Sequence, residues 1–304
     1  MCGIAGVIDL EGRKRVDPEM LELMASAIEH RGPDEDGFFY APGVGLANRR
    51  LSIVGLSDGR QPIANEDGTV SVVFNGELFD YIEKKAELTA KGHVFRTHCD
   101  TEVLVHLWEE YGEGMLERLR GQFAFALYDS RRRVLILGRD RLGICPLHWA
   151  RRGNWIYFGS EIKAILASGR VEAEADPRGL DTKFSRSLPW NAADGVRRHF
   201  AKSHPAAYVK IAFGREGGTG FCRGAATLGP RFSDYGDEYQ PSSQKKLIEE
   251  FRRSSFAVEI RLRADVPVVG YLSGGVDSTT VVTTATKVGS DSDVHDQDRH
   301  AEVG

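Results

Sequence analysis

The chain has 304 residues, with 40 Lys and Arg against 44 Asp and Glu and a formal net charge of −4. This balance argues against a strongly basic nucleic-acid surface, and 41% apolar with 28% charged residues is the composition of a globular chain. At about 150 residues per domain the length predicts two domains. No apolar run approaches the ~20 residues that span a bilayer. The start, Met1-Cys2-Gly3-Ile4-Ala5-Gly6, has neither a basic n-region nor a long apolar h-region. Cys2, Cys99, Cys145 and Cys222 form no CxxC pair, so no zinc ribbon, disulfide framework or metal site is expected. The expectation is a cytoplasmic protein with reduced thiols and neither a membrane nor a nucleic-acid partner.

In chain order, the apolar run Gly3–Asp9 predicts a buried strand. Asp17 can cap a helix running to about His30, with Met20, Leu23, Met24, Ala27 and Ile28 on one face. Val70–Phe74 predicts a strand that ends in an Asn75-Gly76 turn. Glu102–Tyr111 predicts a helix, Phe123–Tyr128 and Val134–Leu137 a strand pair, Trp155–Phe158 a strand, and Glu161–Ser168 a helix. From about 181 to 240 hydrophobic periodicity fades and an irregular linker is expected. A helix is expected within Ser242–Leu262 and a buried strand at Val266–Leu272. A helix to about Ala285 then follows Ser273-Gly274-Gly275-Val276-Asp277-Ser278. From Lys287 the polar tail is expected to be disordered. The domain boundaries expected are 1–175, 176–240 (linker), 241–286 and 287–304.

The chemistry concentrates at the front. Once Met1 is removed, Cys2 carries a thiol and a free α-amine whose ordinary pKa is ~7.7–8.0, so one residue supplies nucleophile and base. Arg50 is a guanidinium for a carboxylate, Asn75-Gly76 an amide and a backbone N–H for an oxyanion, and Glu77 and Asp100 acids for an ammonium. Singly, each has a plainer reading: Arg50 as a surface charge, Asn75-Gly76 as a turn, Asp100 as a helix N-cap. Together they are the groups that hold an amino acid and hydrolyse its side-chain amide.

Several ordered segments carry a resemblance. They are Met1-Cys2-Gly3-Ile4-Ala5-Gly6, His30-Arg31-Gly32-Pro33-Asp34, Arg49-Arg50-Leu51-Ser52-Ile53, Gln61-Pro62, Phe74-Asn75-Gly76-Glu77, Asp100-Thr101-Glu102, Gly121-Gln122-Phe123-Ala124-Phe125-Ala126, Arg139-Asp140-Arg141-Leu142-Gly143 and Gly159-Ser160-Glu161-Ile162-Lys163-Ala164. Residues 1 to about 170 resemble the glutaminase domain of the asparagine synthetase family of class II, N-terminal-nucleophile, glutamine amidotransferases. The resemblance implies a four-layer α/β/β/α sandwich of the α/β class, followed by a partial doubly wound α/β synthetase domain. It implies that Cys2 attacks glutamine to form a thioester, with Asn75 and the Gly76 N–H as oxyanion hole. Arg50 would bind the α-carboxylate, Glu77 and Asp100 the α-ammonium, and Ile53 would line the glutamine site. No cofactor is implied for this step. Cys145 stands where the family usually has Lys, and His148 where Tyr is common; Cys145 is expected to be a buried thiol.

Ser273, Gly274, Gly275, Asp277 and Ser278 resemble the pyrophosphate loop of ATP pyrophosphatase domains, where glycines and a helix N-terminus face an anion. In the complete family this domain uses ATP, Mg2+ and aspartate, with room for a homodimer. Only 26 residues follow Ser278, too few for a nucleotide-binding sheet, so a truncated synthetase half is expected. One-base shifts in a permissible coding of Trp190–His199 and Asp291–Arg299 produce family-like segments, and frameshifts are the expected cause of both irregular stretches. Two other readings stand beside the glutaminase: an inactive or unstable synthetase remnant, and an amidotransferase subunit serving another acceptor.

Overall fold

A computed structural model describes residues 1–174, 200–202, 208–213, 220–224, 246, 248–249 and 256–291. The chain divides into two units: Met1–Ser52 with Ser57–Gly229, and Ile53–Leu56 with Pro230–Gly304.

The first unit contains two antiparallel sheets. One comprises β1 (Gly3–Asp9), β2 (Glu35–Ala41), β3 (Val44–Arg50), β8 (His148–Arg152), β9 (Trp155–Gly159) and β10 (Phe200–Lys202), in the order β10-β8-β9-β1-β3-β2. The other comprises β4 (Ile63–Ala64), β5 (Val70–Leu78), β6 (Gly121–Asp129), β7 (Val134–Arg139), β11 (Tyr208–Ala212) and β12 (Gly220–Gly224), in the order β12-β11-β7-β6-β5-β4. Side chains alternate across a strand, and three cores follow from that. Ile4, Ile8, Leu46, Val73, Ala124, Ala126 and Leu135 meet between the sheets. Ala5 and Val7, on the other face of β1, pack with Met20, Leu21 and Met24 of α1 (Pro18–Ser26) and Ile165 of α5 (Ile162–Ala167). Val72 and Phe74 of β5 and Phe125 and Leu127 of β6 pack with Leu88 of α2 (Tyr81–Ala90), Leu104 and Leu107 of α3 (Glu102–Tyr111) and Leu116 of α4 (Met115–Arg118). The layers are therefore α/β/β/α, as the resemblance implied.

Local signals explain the helices. The Asp17 side chain accepts from Glu19 N at 3.2 Å and Pro18 opens α1. The helix stops at Ser26, and Glu29–Arg31 form a separate 3-10 turn where a continuous helix was expected. On α3, Trp108 Nε1 donates to Asp129 Oδ2 of β6 at 2.8 Å, fixing helix to sheet inside the core. Gly112, at φ 55°, ends the helix.

Two expectations are corrected here. Asn75-Gly76 is not a turn: β5 continues through both residues to Leu78, paired with β6 all the way (Asn75 with Ala124, Gly76 with Phe123). The stretch expected to be an irregular linker supplies strands. β10 pairs with β8, and β11 pairs with β7 and β12. Val209, Ile211 and Phe213 enter the core between the sheets, so the period-two signal was present and was masked by its Gly- and Arg-rich surroundings. Trp190–His199 lie outside the described residues.

In the second unit, α6 (Phe256–Glu259) and α7 (Val276–Asp291) are helical. The strand expected at Val266–Leu272 is absent. Val266 lies in a bend and the rest form irregular coil, with Tyr271 95% exposed and Val269 and Leu272 also exposed. A strand needs a neighbouring ladder, and among its described residues this unit offers none. α7 passes Ala285 and Lys287 to reach Asp291, correcting the early part of the tail expected to be disordered; 292–304 lie outside the described residues.

Candidate active site

Cys2 immediately precedes β1, whose pairing sets Gly3 opposite Arg49 of β3. The register brings residue 2 alongside the end of β3. The buried Cys2 thiol lies 3.4 Å from the Leu51 N–H, which donates to it, and 3.5 Å from the Leu51 carbonyl. Arg31 Nε donates to the Cys2 carbonyl at 2.9 Å. Burial pushes the thiol pKa up. The Leu51 contact, the N-terminal ammonium and Arg50 oppose that rise, and the charge of Asp100 adds to it. The nucleophile candidate therefore sits in the electrostatic reach of two residues nominated independently from the sequence.

Arg50 closes β3 opposite Glu35 of β2, and its Nη1 meets Glu35 Oε2 at 2.7 Å. The guanidinium is buried and fixed by that carboxylate. Asp100 is also buried. Its Oδ2 accepts from Leu78 N at 2.8 Å, so the side chain holds the end of β5 and does not cap α3. Burial raises the Asp100 carboxyl to about 6; the Leu78 N–H lowers it and the Glu77 charge raises it again. Glu77 and Asp100 thus form a pair of acids on one side of the site.

Asn75 lies on the face of β5 that also carries Val73 into the core between the sheets. The residue is 0% exposed, yet neither Nδ2 nor Oδ1 has a hydrogen-bond partner among the described residues. A buried amide with nothing to bond costs about 1–3 kcal/mol, and such groups are found where a ligand completes the bonding. Gly76 follows at φ 152°, a backbone region that side chains rarely adopt, and a Cβ there would lie 2.0 Å from the Gln122 carbonyl oxygen. Only glycine lets β5 pass β6 at this point.

One residue given no role from the sequence joins the two halves of the site. Asn48 of β3 donates through Nδ2 to the Phe74 carbonyl at 3.1 Å and to the Gly3 carbonyl at 3.4 Å. Gly3 adjoins Cys2 and Phe74 adjoins Asn75, so a single buried amide sets the spacing between the sheet carrying the thiol and the strand carrying the orphaned amide. Its signal was position alone: a polar residue two before Arg50 in a strand otherwise buried.

The structure brings together Cys2, Arg50, Glu77 and Asp100 around the end of β3, with Asn75 and Gly76 on β5. Ile53 falls in the second unit, where its carbonyl accepts from Asp265 N at 2.8 Å. Ser273, Gly274, Gly275, Asp277 and Ser278 also belong to the second unit. There Gly274 takes φ 79° and α7 begins at Val276. The Ser278 hydroxyl lies 2.9 Å from that of Ser273 and donates to the Gly275 carbonyl at 3.1 Å. A glycine-shaped turn into a helix N-terminus fits a phosphate group. The described residues supply no surrounding sheet for the rest of a nucleotide.

Comparison with known proteins decides the family. Residues 1–219 match the family described as "Glutamine amidotransferase domain". The chain belongs to that family. Residues 254–296 match a second family, "Asparagine synthase". The chain is 34% identical over 288 residues to asparagine synthetase [glutamine-hydrolyzing] 1 of Bacillus subtilis (strain 168), covering 94% of itself and 44% of that protein. It is 44% identical over 298 residues to asparagine synthetase [glutamine-hydrolyzing] 2 of Oryza sativa subsp. japonica, covering 94% and 42%. The chain thus spans less than half the length of these relatives. Among solved structures, the glutamine phosphoribosylpyrophosphate amidotransferase of B. subtilis, complexed with ADP and GMP, aligns with a TM-score of 0.52. Identity is 17%, and the alignment covers 94% of this chain and 64% of that one. The likeness extends to the fold. No helix among the described residues is long and apolar enough to cross a membrane.

Proposed function

We propose that this amidotransferase hydrolyses the side-chain amide of glutamine to glutamate and ammonia through Cys2. The observation that carries the reading is the buried Asn75 amide, unpartnered and tied through Asn48 to the strand that holds the buried Cys2 thiol. While Met1 remains attached, the Cys2 nitrogen is an amide and accepts no proton. Its removal creates the α-amine that takes the thiol proton as sulfur bonds to the amide carbon. Asn75 Nδ2 and the Gly76 N–H hold the oxygen as it gains charge. The tetrahedral carbon then expels ammonia, protonated by the same amine, and leaves a thioester. Water adds to the thioester, releasing glutamate and the thiol. Arg50 binds the α-carboxylate, exchanging Glu35 for the substrate, and Glu77 with Asp100 binds the α-ammonium. Ile53 belongs to the same proposal as a residue lining the glutamine site.

The proposed use of the ammonia is ATP-dependent amidation of aspartate, with Mg2+. Ser273, Gly274, Gly275, Asp277 and Ser278 would hold the pyrophosphate. The match to that second family spans residues 254–296, and the chain covers less than half the length of the relatives, so asparagine formation is expected in the company of further synthetase elements. A cytoplasmic location and a homodimer belong to the same proposal.

The test is glutamate release from glutamine by purified protein of verified N-terminus, against Cys2→Ala. Activity with the free Cys2 form and none with the variant is the expected result. Release that survives Cys2→Ala overturns the reading.

A further inference from the structure

Away from the active site, four potential ligands from three elements converge on one point. Glu66 comes from the turn between β4 and β5, His93 from the segment after α2, and His106 and Glu109 from successive turns of α3. One ligand atom from each lies within 4.8 Å of all the others. His106 Nδ1 is 3.3 Å from Glu109 Oε2 and 3.6 Å from Glu66 Oε1; His93 Nδ1 is 3.7 and 3.8 Å from the same two oxygens. Bonds of about 2.0–2.2 Å from zinc to nitrogen and oxygen require tetrahedral ligands to stand about 3.3–3.6 Å apart. The four measured edges lie within or just beyond that interval.

The surroundings are those of a ligand set more than of paired charges. Each Nδ1 faces two oxygens at similar distance instead of closing on one, and only the 3.3 Å contact reaches hydrogen-bond range. The opposite ring nitrogens face separate carboxylates: His106 Nε2 stands 3.6 Å from Glu102 Oε1, and His93 Nε2 3.6 Å from Glu110 Oε2. A carboxylate behind each ring favours the proton on Nε2 and leaves the Nδ1 lone pair turned inward, the arrangement that orients metal-bound histidines. The two inward carboxylates are themselves held, Glu66 Oε1 by Val94 N at 2.9 Å and Glu109 Oε1 by Asn65 Nδ2 at 2.7 Å. His106 is fully buried and the other three are partly so.

We propose that Glu66, His93, His106 and Glu109 form a tetrahedral site for one divalent transition-metal ion of the zinc class. Imidazole and carboxylate donors in four-coordinate geometry select that class over calcium and magnesium, which take six or more oxygens. The site's role is structural, since all four positions are filled by protein. It pins the β4–β5 turn and the segment after α2 to α3. Glu102, behind His106, also accepts from Arg96 N at 2.8 Å and Thr97 N at 2.7 Å, which extends the brace toward Asp100. Spacing along the sequence gave no sign of the site because its ligands meet only after three elements pack.

The experiment uses the full chain carrying Cys2→Ala, so that the thiol does not compete for metal. The chain is stripped with chelator, then titrated with Zn2+ against a chromophoric competitor and, separately, with Co2+. One zinc per chain, the intense visible absorption of tetrahedral cobalt and a raised melting temperature are expected. His93→Asn and Glu109→Gln, both on partly exposed ligands and each checked for a folded far-UV spectrum, are expected to lower zinc affinity at least tenfold. No zinc uptake, octahedral cobalt, or unchanged affinity in both folded variants overturns the proposal.

Discussion

At the scale of single residues, charge and burial set the behaviour of the proposed glutamine site. Asp100 titrates near 6 in the fold, above its ordinary value of about 3.9. The folded chain therefore binds the Asp100 proton more tightly than the unfolded chain does. Its contribution to stability is full below about pH 4 and lost as pH rises through about 6. Ligand binding follows the opposite sign, because only the ionised carboxylate pairs with an ammonium. The KM for glutamine is expected to rise as pH falls below about 6, approaching about tenfold per unit, and Asp100→Asn should flatten that dependence while raising KM throughout. Steady-state kinetics between pH 5 and 8 measure both. Asn48 makes a second prediction. Asn48→Leu leaves the Gly3 and Phe74 carbonyls without this donor, at about 1–3 kcal/mol. It also loosens the Cys2–Asn75 spacing, so kcat should drop at least tenfold while KM, assigned to Arg50 and Asp100 in the proposed function, stays within about twofold. A Gln variant that restores part of kcat would separate positioning from mere destabilisation.

At the scale of elements, β5 shows what the sequence could and could not convey. Val70–Phe74 reads as a strand because β-branched and aromatic residues alternate between two cores. Asn75-Gly76 reads as a turn because that pair usually makes one, yet here both residues stay in the ladder. The misreading fell on candidate site residues, one an unpartnered buried amide and the other a glycine at φ 152°. The same holds for β3, whose Asn48-Arg49-Arg50 end hid a strand behind polar residues. Cys2, Arg50, Asn75, Gly76, Glu77 and Asp100 were nominated through their motifs, whereas Asn48 and Glu35 join the candidate site only through register. Gly76→Ala tests the close approach directly. With a Cβ 2.0 Å from the Gln122 carbonyl, β5 and β6 must separate, and loss of soluble folded protein or of glutaminase activity, read by melting temperature and glutamate release, is expected.

At the scale of the whole molecule, the two units differ in how they treat apolar surface. The first buries its apolar residues in three cores, and part of the middle core comes from Val209, Ile211 and Phe213. A chain cut near residue 175, which the sequence alone would favour, removes these side chains and leaves β7 with an open edge. Burial of each side chain contributes about 1.5–3 kcal/mol, so a 1–229 fragment is expected to melt well above a 1–174 fragment. The second unit exposes Val269, Tyr271, Leu272 and Val276 within one short stretch, and contiguous exposed apolar residues promote association. Light scattering on heating should therefore begin earlier for 1–304 than for 1–229, with glutamate release retained by the shorter chain.

The cysteines offer a practical consequence. Cys99 and Cys145 are buried and pushed up to about 12, so at neutral pH almost none of either is thiolate, the form that reacts. Cys2 is buried as well, but under the proposed function removal of Met1 gives it an adjoining amine. An electrophilic glutamine analogue should thus be consumed by one sulfur of these three, and only in molecules whose initiator residue has gone. Counting covalent adducts by intact mass would then report the competent fraction of any preparation, giving turnover per working molecule instead of per milligram.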